Sequence, residues 1–296
     1  MNENNQTINW FPGHMKKTWR QMEEDIRLVD AVCELLDARI PYASRNPDLA
    51  ALSGSKPRLV ILNRIDLADP AATKAWAAHF RAQGAAVIQT DCKSRKGLND
   101  FVPAVRELLQ EKLQRYAERG MAGKPLKLMV AGIPNVGKST FINQIAGRKG
   151  AKAENRPGVT RGMQWVTVDQ GLLLLDTPGI LWPKFEDPEV GAHLAYTGAI
   201  RDEILDLETL ACGLMELLYQ HYPEALAARY RIEAPEDETG YGLLELAGRR
   251  RGFLISGGEV DTERMARVLL EEYRSGKLGR MTLEWPKEAD DASLGD

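Results

Sequence analysis

The residues best suited to chemistry in this chain are Gly132-Ile133-Pro134-Asn135-Val136-Gly137-Lys138-Ser139-Thr140. They lie between an apolar run, Leu126 to Ala131, and a helix-compatible run, Phe141 to Ala146. The order is strand, glycine loop, helix. In the spacing GxxxxGK[ST] the backbone N–H groups of Asn135, Val136, Gly137, Lys138, Ser139 and Thr140 turn inward around phosphate oxygens, with the positive end of the helix behind them. Lys138 is placed to reach the β- and γ-phosphates, and the Ser139 hydroxyl to bind Mg²⁺. Nucleotide binding is the chemistry this stretch implies.

The elements that must hold the loop follow from alternation along the chain. Val29 to Leu36, Arg58 to Leu62 and Ala85 to Thr90 read as strands, with helices over about Thr18 to Leu28, Ala71 to Gln83 and Leu98 to Glu118. This pattern predicts an α/β fold with a mostly parallel sheet, helices on both faces, and binding loops at the carboxyl ends of the strands. Two of those ends suit the reading of a base. The Asp66 carboxylate of Asn63-Arg64-Ile65-Asp66 can accept from N1–H and the exocyclic amine of guanine, whereas adenine presents a bare acceptor at N1. Two charged hydrogen bonds favour guanine by roughly two to four orders of magnitude. Asp91-Cys92-Lys93 stands where a backbone N–H would meet the guanine O6, or else is a plain loop.

Past the phosphate loop, Arg148 to Gly162 reads as a mobile loop in which Thr160 would complete the Mg²⁺ shell once a γ-phosphate is present. Two more strands, Gln164 to Val168 and Leu172 to Leu175, lead to Asp176-Thr177-Pro178-Gly179. There Asp176 would hold Mg²⁺ through water, and the Gly179 N–H would sense the γ-phosphate. Five helices follow by pattern, over Leu194 to Ile204, Leu207 to Tyr219, Pro223 to Tyr230, Tyr241 to Arg249 and Thr262 to Ser275.

At 296 residues and 44% apolar content the chain can bury a full core, and its length suggests two domains. No apolar run approaches the roughly 18 residues of a membrane span, and the polar opening MNENNQTINW lacks the apolar core of a signal peptide, so a cytoplasmic location is expected. Cys33, Cys92 and Cys212 are far apart without CxxC pairing, which argues against a disulfide framework or a zinc site. The net charge of −3 conceals an asymmetry: residues 1–180 hold 26 Lys and Arg against 18 Asp and Glu, the remainder 13 against 24. A basic front half suits a polyanionic partner, or is solvated surface. Trp10 and Phe11, beside a Pro-Gly turn, imply a tied-down terminus or a hydrophobic staple for the next helix.

The base-reading motif precedes the phosphate loop, the reverse of the ordinary order in Ras-like, translation-factor-class GTPases. With NWFPGHMKK, DARIP and SRNP, NRID, GIPNVGKST, PGVTRG, DTPG and the distal Gly276-Lys277-Leu278-Gly279-Arg280, nearly the whole chain resembles the circularly permuted ribosome biogenesis GTPase A family. The resemblance implies a GTPase that takes GTP or GDP with Mg²⁺. It would dock in the GTP state on the precursor of the large ribosomal subunit and its rRNA, be stimulated by that subunit, and leave on hydrolysis. It also implies an N-terminal motif and helix over residues 1–28, a permuted GTPase domain over 29–187, a helical RNA-contacting domain over 188–285 and a disordered acidic tail over 286–296. A monomer is expected. In such a domain the loop ending at Gly179 is the covalent joint to everything downstream. A GTPase of tRNA modification, a metabolic ATPase, and an RNA-binding assembly factor with a purely structural nucleotide site are the rival readings.

Two positions depart from the family pattern: Arg64 replaces the usual lysine of NKxD, and Asp91-Cys92-Lys93 replaces Ser-Ala-Lys. The Arg64 stem and guanidinium can still cover a base. Where Ras-like enzymes orient water with a glutamine after DxxG, this chain has Ile180. The resemblance supplies two catalytic candidates, His14 acting on the water and Asn135 ligating K⁺ in the manner of a built-in arginine finger. By the same resemblance, basic clusters at Arg249-Arg250-Arg251 and at Arg274, Lys277 and Arg280 are RNA contacts, or else ordinary solvated surface.

Overall fold

A computed structural model describes residues 13–147, 164–169, 171–182, 185, 187–233 and 238–286, with side chains from Trp19 onward. Expectations for Trp10, Phe11, Thr160, the 148–162 loop and the 287–296 tail lie outside these residues. The chain divides into two compact units: Ile8–Phe185 joined by the segment from Glu284, and Glu186–Leu283. Glu284 thus groups with the sheet unit. Among the described residues no helix is long and apolar enough to cross a membrane.

The first unit runs α1 (Gly13–Asp25), β1 (Ala31–Asp37), α2 (Pro47–Ser53), β2 (Arg58–Asn63), α3 (Pro70–Ala82), β3 (Ala86–Thr90), α4 (Phe101–Leu108), α5 (Gln110–Glu118), β4 (Leu126–Gly132), α6 (Lys138–Ala146), β5 (Gln164–Asp169) and β6 (Leu172–Asp176). The sheet order is β3-β2-β1-β4-β6-β5, with every pairing parallel except the antiparallel edge β5–β6. All seven residues of β1 are buried, as a parallel strand covered on both faces requires. The chain builds outward from β1 through β2 and β3, then returns to lay β4 on the other side of β1. That reversal opens the crevice at the carboxyl ends of β1 and β4 where α/β sheets bind ligands.

On one face Met22 and Ile26 from the α1 region cluster with Val32, Leu49, Met129, Ala131, Leu175 and Ile180, and Trp19 packs against them. Trp76, Ala77 and Phe80 of α3 cover Leu36, Val60 and Leu62. The other face is closed by Phe101 of α4 and Phe141 of α6, edge to face at 5.2 Å between centroids. The helix expected over Leu98 to Glu118 is a 3₁₀ turn followed by α4 and α5 with a break at Leu109. The break is a kink: Leu109 N–H still donates to Val105 O and Leu113 N–H to Leu109 O, while the Leu109 side chain stays buried.

The second unit comprises α7 (Pro188–Tyr196), α8 (Leu207–His221), α9 (Pro223–Tyr230), α10 (Gly240–Arg250) and α11 (Thr262–Ser275), with α7, α9, α10 and α11 all packed against α8 or its neighbours. The helix expected from Leu194 to Ile204 is corrected here. Asp187 caps α7 by accepting from Glu189 N–H at 2.8 Å, Pro188 opens it, and Gly198 at φ +77° ends it with Ala199 N–H bonded back to Leu194 O. An N-cap, a first-turn proline and a left-handed glycine outweigh the continuing apolar period.

Candidate functional site

The phosphate loop joins the end of β4 to the start of α6. Asn135 takes φ +59° and Gly137 φ +98°, the left-handed turns that bring successive N–H groups to one side. A Cβ on Gly137 would lie 2.5 Å from Asn63 Nδ2, and one on Gly179 would lie 2.8 Å from Pro134 Cα, so both contacts need glycine. Asn135, Ser139 and Thr140 are exposed on this loop.

Lys138 is buried beside Asp176, which closes β6. Burial lowers the Lys138 pKa and the Asp176 charge only partly restores it; burial raises the Asp176 carboxyl, and Lys138 opposes that. Asp176 Oδ1 is buried with no hydrogen-bond partner among the described residues. A lysine short of negative charge and an orphaned carboxylate oxygen, with an exposed hydroxyl at Ser139, are a hard-oxygen donor set that fits a hydrated Mg²⁺ with phosphate. Thr177 Oγ1 donates to Val130 O at 2.8 Å and holds the following loop against β4. Ile180, just past Gly179, is buried in the α1 cluster and offers no polar atom. His14 falls in the first turn of α1, and its side chain is outside the described residues.

On the base side Asn63 is buried and used internally. Its Nδ2 donates to Val136 O at 2.8 Å, and its Oδ1 accepts from Thr90 Oγ1 at 3.2 Å and from Cys92 N–H at 3.4 Å. It therefore ties three loops together. Arg64, at φ +62°, donates to Asn135 O and lies 3.7 Å from Asp37 Oδ2. Asp66 is exposed; partial burial and the Asp91 carboxylate raise its pKa. In the third loop Asp91 N–H bonds Lys96 O and Lys93 N–H bonds Asp91 Oδ1 at 2.8 Å. Of the three N–H groups, that of Cys92 has the longest bond. The Cys92 thiol is pushed up to about 11 by burial and is no nucleophile.

A buried pair underlies this region that sequence reading noted only as part of DARIP. Arg39, fully buried, grips Asp37 through Nε at 2.9 Å and a terminal nitrogen at 2.7 Å. Burial works to raise the Asp37 pKa, and Arg39 and then Arg64 more than offset it. In the helical unit several basic residues are tied to acidic or carbonyl groups, while Arg249, Arg250, Lys277 and Arg280 remain exposed. Arg274 binds Asp202 at 2.7 and 2.8 Å and the carbonyls of Ala195 and Tyr196, Arg251 binds Glu272 at 2.6 Å, and Arg249 pairs with Glu245 at 2.9 Å. Arg274 and Arg251 are therefore internal ties.

A six-stranded sheet in this order, with a phosphate loop after β4, base-side loops after β2 and β3 and DTPG after β6, defines a P-loop GTPase domain of permuted chain order. A family model described as 50S ribosome-binding GTPase matches residues 127–215. Ribosome biogenesis GTPase A of Priestia megaterium is 48% identical over 96% of this chain and 99% of its own, and that of Thermotoga maritima 31% identical over 95% of each. The GNP-bound structure of YlqF from T. maritima superposes at a TM-score of 0.60 with 29% identity, covering 92% of this chain and 99% of that one. The GDP-bound YlqF structure reaches 0.66 at 27% identity, covering 91% and 100%. The chain belongs to the ribosome biogenesis GTPase A family.

Proposed function

We infer that this GTPase is an assembly factor in ribosome biogenesis, its GTP state binding the precursor of the large ribosomal subunit and its rRNA and its GDP state leaving. The observation that carries the nucleotide chemistry is the buried Lys138–Asp176 pair with its unpartnered oxygen, set beside a loop whose geometry requires Gly137 and Gly179. The backbone N–H groups of Val136 to Thr140 cradle the phosphates, Lys138 neutralises the β- and γ-oxygens, and Asp66 accepts from the guanine edge while a backbone N–H of the Asp91-Cys92-Lys93 loop faces O6. Ser139, Asp176 and Thr160 hold Mg²⁺, which when bound supplies charge neutralisation between the phosphates. The Gly179 N–H meets the γ-phosphate. The 188–285 region contacts rRNA, and the protein works as a cytoplasmic monomer.

Because Ile180 is buried and apolar, the water is oriented by another group. His14, from the start of α1, takes that part once the ribosomal particle is bound, and K⁺ held by the exposed Asn135 adds positive charge at the phosphates. Loss of subunit-stimulated turnover in His14→Ala, and faster hydrolysis in KCl than in NaCl, are the expected results; unchanged rates would remove each role in turn. For the function as a whole, co-sedimentation with large-subunit precursors should occur with a non-hydrolysable GTP analogue and fall with GDP. Equal binding in both states would overturn the switch.

A further inference from the structure

We propose that Glu284 is a positioning residue for the nucleotide site, acting from the far end of the chain through the loop after β1. The inference rests on the nucleotide site described above. The chain that leaves the sheet unit at Phe185 rejoins it at Glu284, and that residue is anchored in three ways. Its carboxylate accepts from Tyr42 N–H at 2.6 Å and from Ala43 N–H at 3.1 and 3.2 Å, and its backbone carbonyl accepts from Trp76 Nε1 at 2.9 Å. A carboxylate clamped on two adjacent N–H groups is a charge-assisted contact of the stronger kind, and here it closes a sequence separation of more than 240 residues.

The clamped loop leads directly to the site. Ser44, one residue past Ala43, accepts the Asp37 N–H on its Oγ at 3.1 Å, and Ile40 N–H returns to Asp37 O at 2.9 Å. Asp37 in turn faces Arg64, whose guanidinium bonds the Asn135 carbonyl of the phosphate loop. The links are the short covalent step from Ala43 to Ser44, hydrogen bonds and one ion pair, so the position of residues 42 and 43 bears on where Arg64 lies beside the phosphate loop. The groups Glu284 binds, on Tyr42, Ala43 and Trp76, are not part of the phosphate loop. Its contribution reaches the nucleotide only by way of Arg64.

The test is a double-mutant cycle on GDP affinity, read by calorimetry with Mg²⁺ present on the full-length protein. Glu284→Ala is expected to raise the GDP dissociation constant by roughly 2- to 30-fold in the parent and by less than about twofold in an Arg64→Ala background. Equal factors in both backgrounds, or no change in the parent, would overturn the proposal, because a merely structural clamp adds to the loss of Arg64 instead of vanishing with it. If Glu284→Ala does not fold, Glu284→Gln keeps one oxygen acceptor for the two N–H groups and gives the same comparison, with a smaller factor. Failure of the parent protein to bind GDP at all would remove the nucleotide reading itself, a result distinct from additivity in the cycle.

Discussion

At the scale of single residues, the side chains that do most to shape the site do not themselves make its chemistry. Asn63 uses both ends of its amide to connect Val136, Thr90 and Cys92, so three strand-end loops share one buried group. Replacing it by alanine leaves a buried carbonyl and two donors unpaired, which costs about 1–3 kcal/mol. Asn63→Ala should lower the midpoint of urea unfolding and weaken GDP binding together; an unchanged midpoint would mean the three loops hold without it. Asp66 is the complementary case, exposed and free to meet a base. Asp66→Asn should exchange guanine preference for xanthine preference, measured as the ratio of GDP to XDP dissociation constants, because an amide donates where the carboxylate only accepts.

Elements carry the next level. The α1 helix bears His14 at its start and packs Met22 against the cluster containing Ile180, so the helix that carries His14 and the residue after Gly179 share one hydrophobic core. Met22→Ala removes a fully enclosed side chain from that core and should cost about 2–5 kcal/mol in denaturant unfolding, depending on how far the surroundings collapse. A loss under about 0.5 kcal/mol would show that α1 is not held there. Most element types could be read from the chain, β1 as a buried strand and α3 and α11 as helices by pattern. The boundaries of α7 could not be read from its hydrophobic period, because Asp187, Pro188 and Gly198 set its ends through backbone geometry.

For the whole molecule, the helical unit is built around a buried carboxylate, Glu272, which pairs with Arg229 and Arg251. Burial tends to raise the Glu272 carboxyl, and hydrogen bonds from Arg229 and Tyr230 with the charge of Arg251 overcome it, bringing its pKa down to about 2 from 4.5. Because the folded value lies below the unfolded one, the stabilisation is complete above about pH 4.5 and is lost as pH falls through about 2. The melting temperature of the parent should therefore drop across that window more steeply than that of Glu272→Gln. Parallel curves would show that this cluster does not govern acid stability. What the amino-acid sequence determined by itself was the permuted order of the strand-end loops and the mostly parallel sheet that displays them, because glycine spacing and apolar period act over a few residues. Only the tertiary structure decided that Asn63 is a joint, that Arg274 and Arg251 are inward ties, and that Glu284 clamps Tyr42 and Ala43. The partner of a polar group lies tens to hundreds of residues away, and packing, which local pattern does not encode, chooses it.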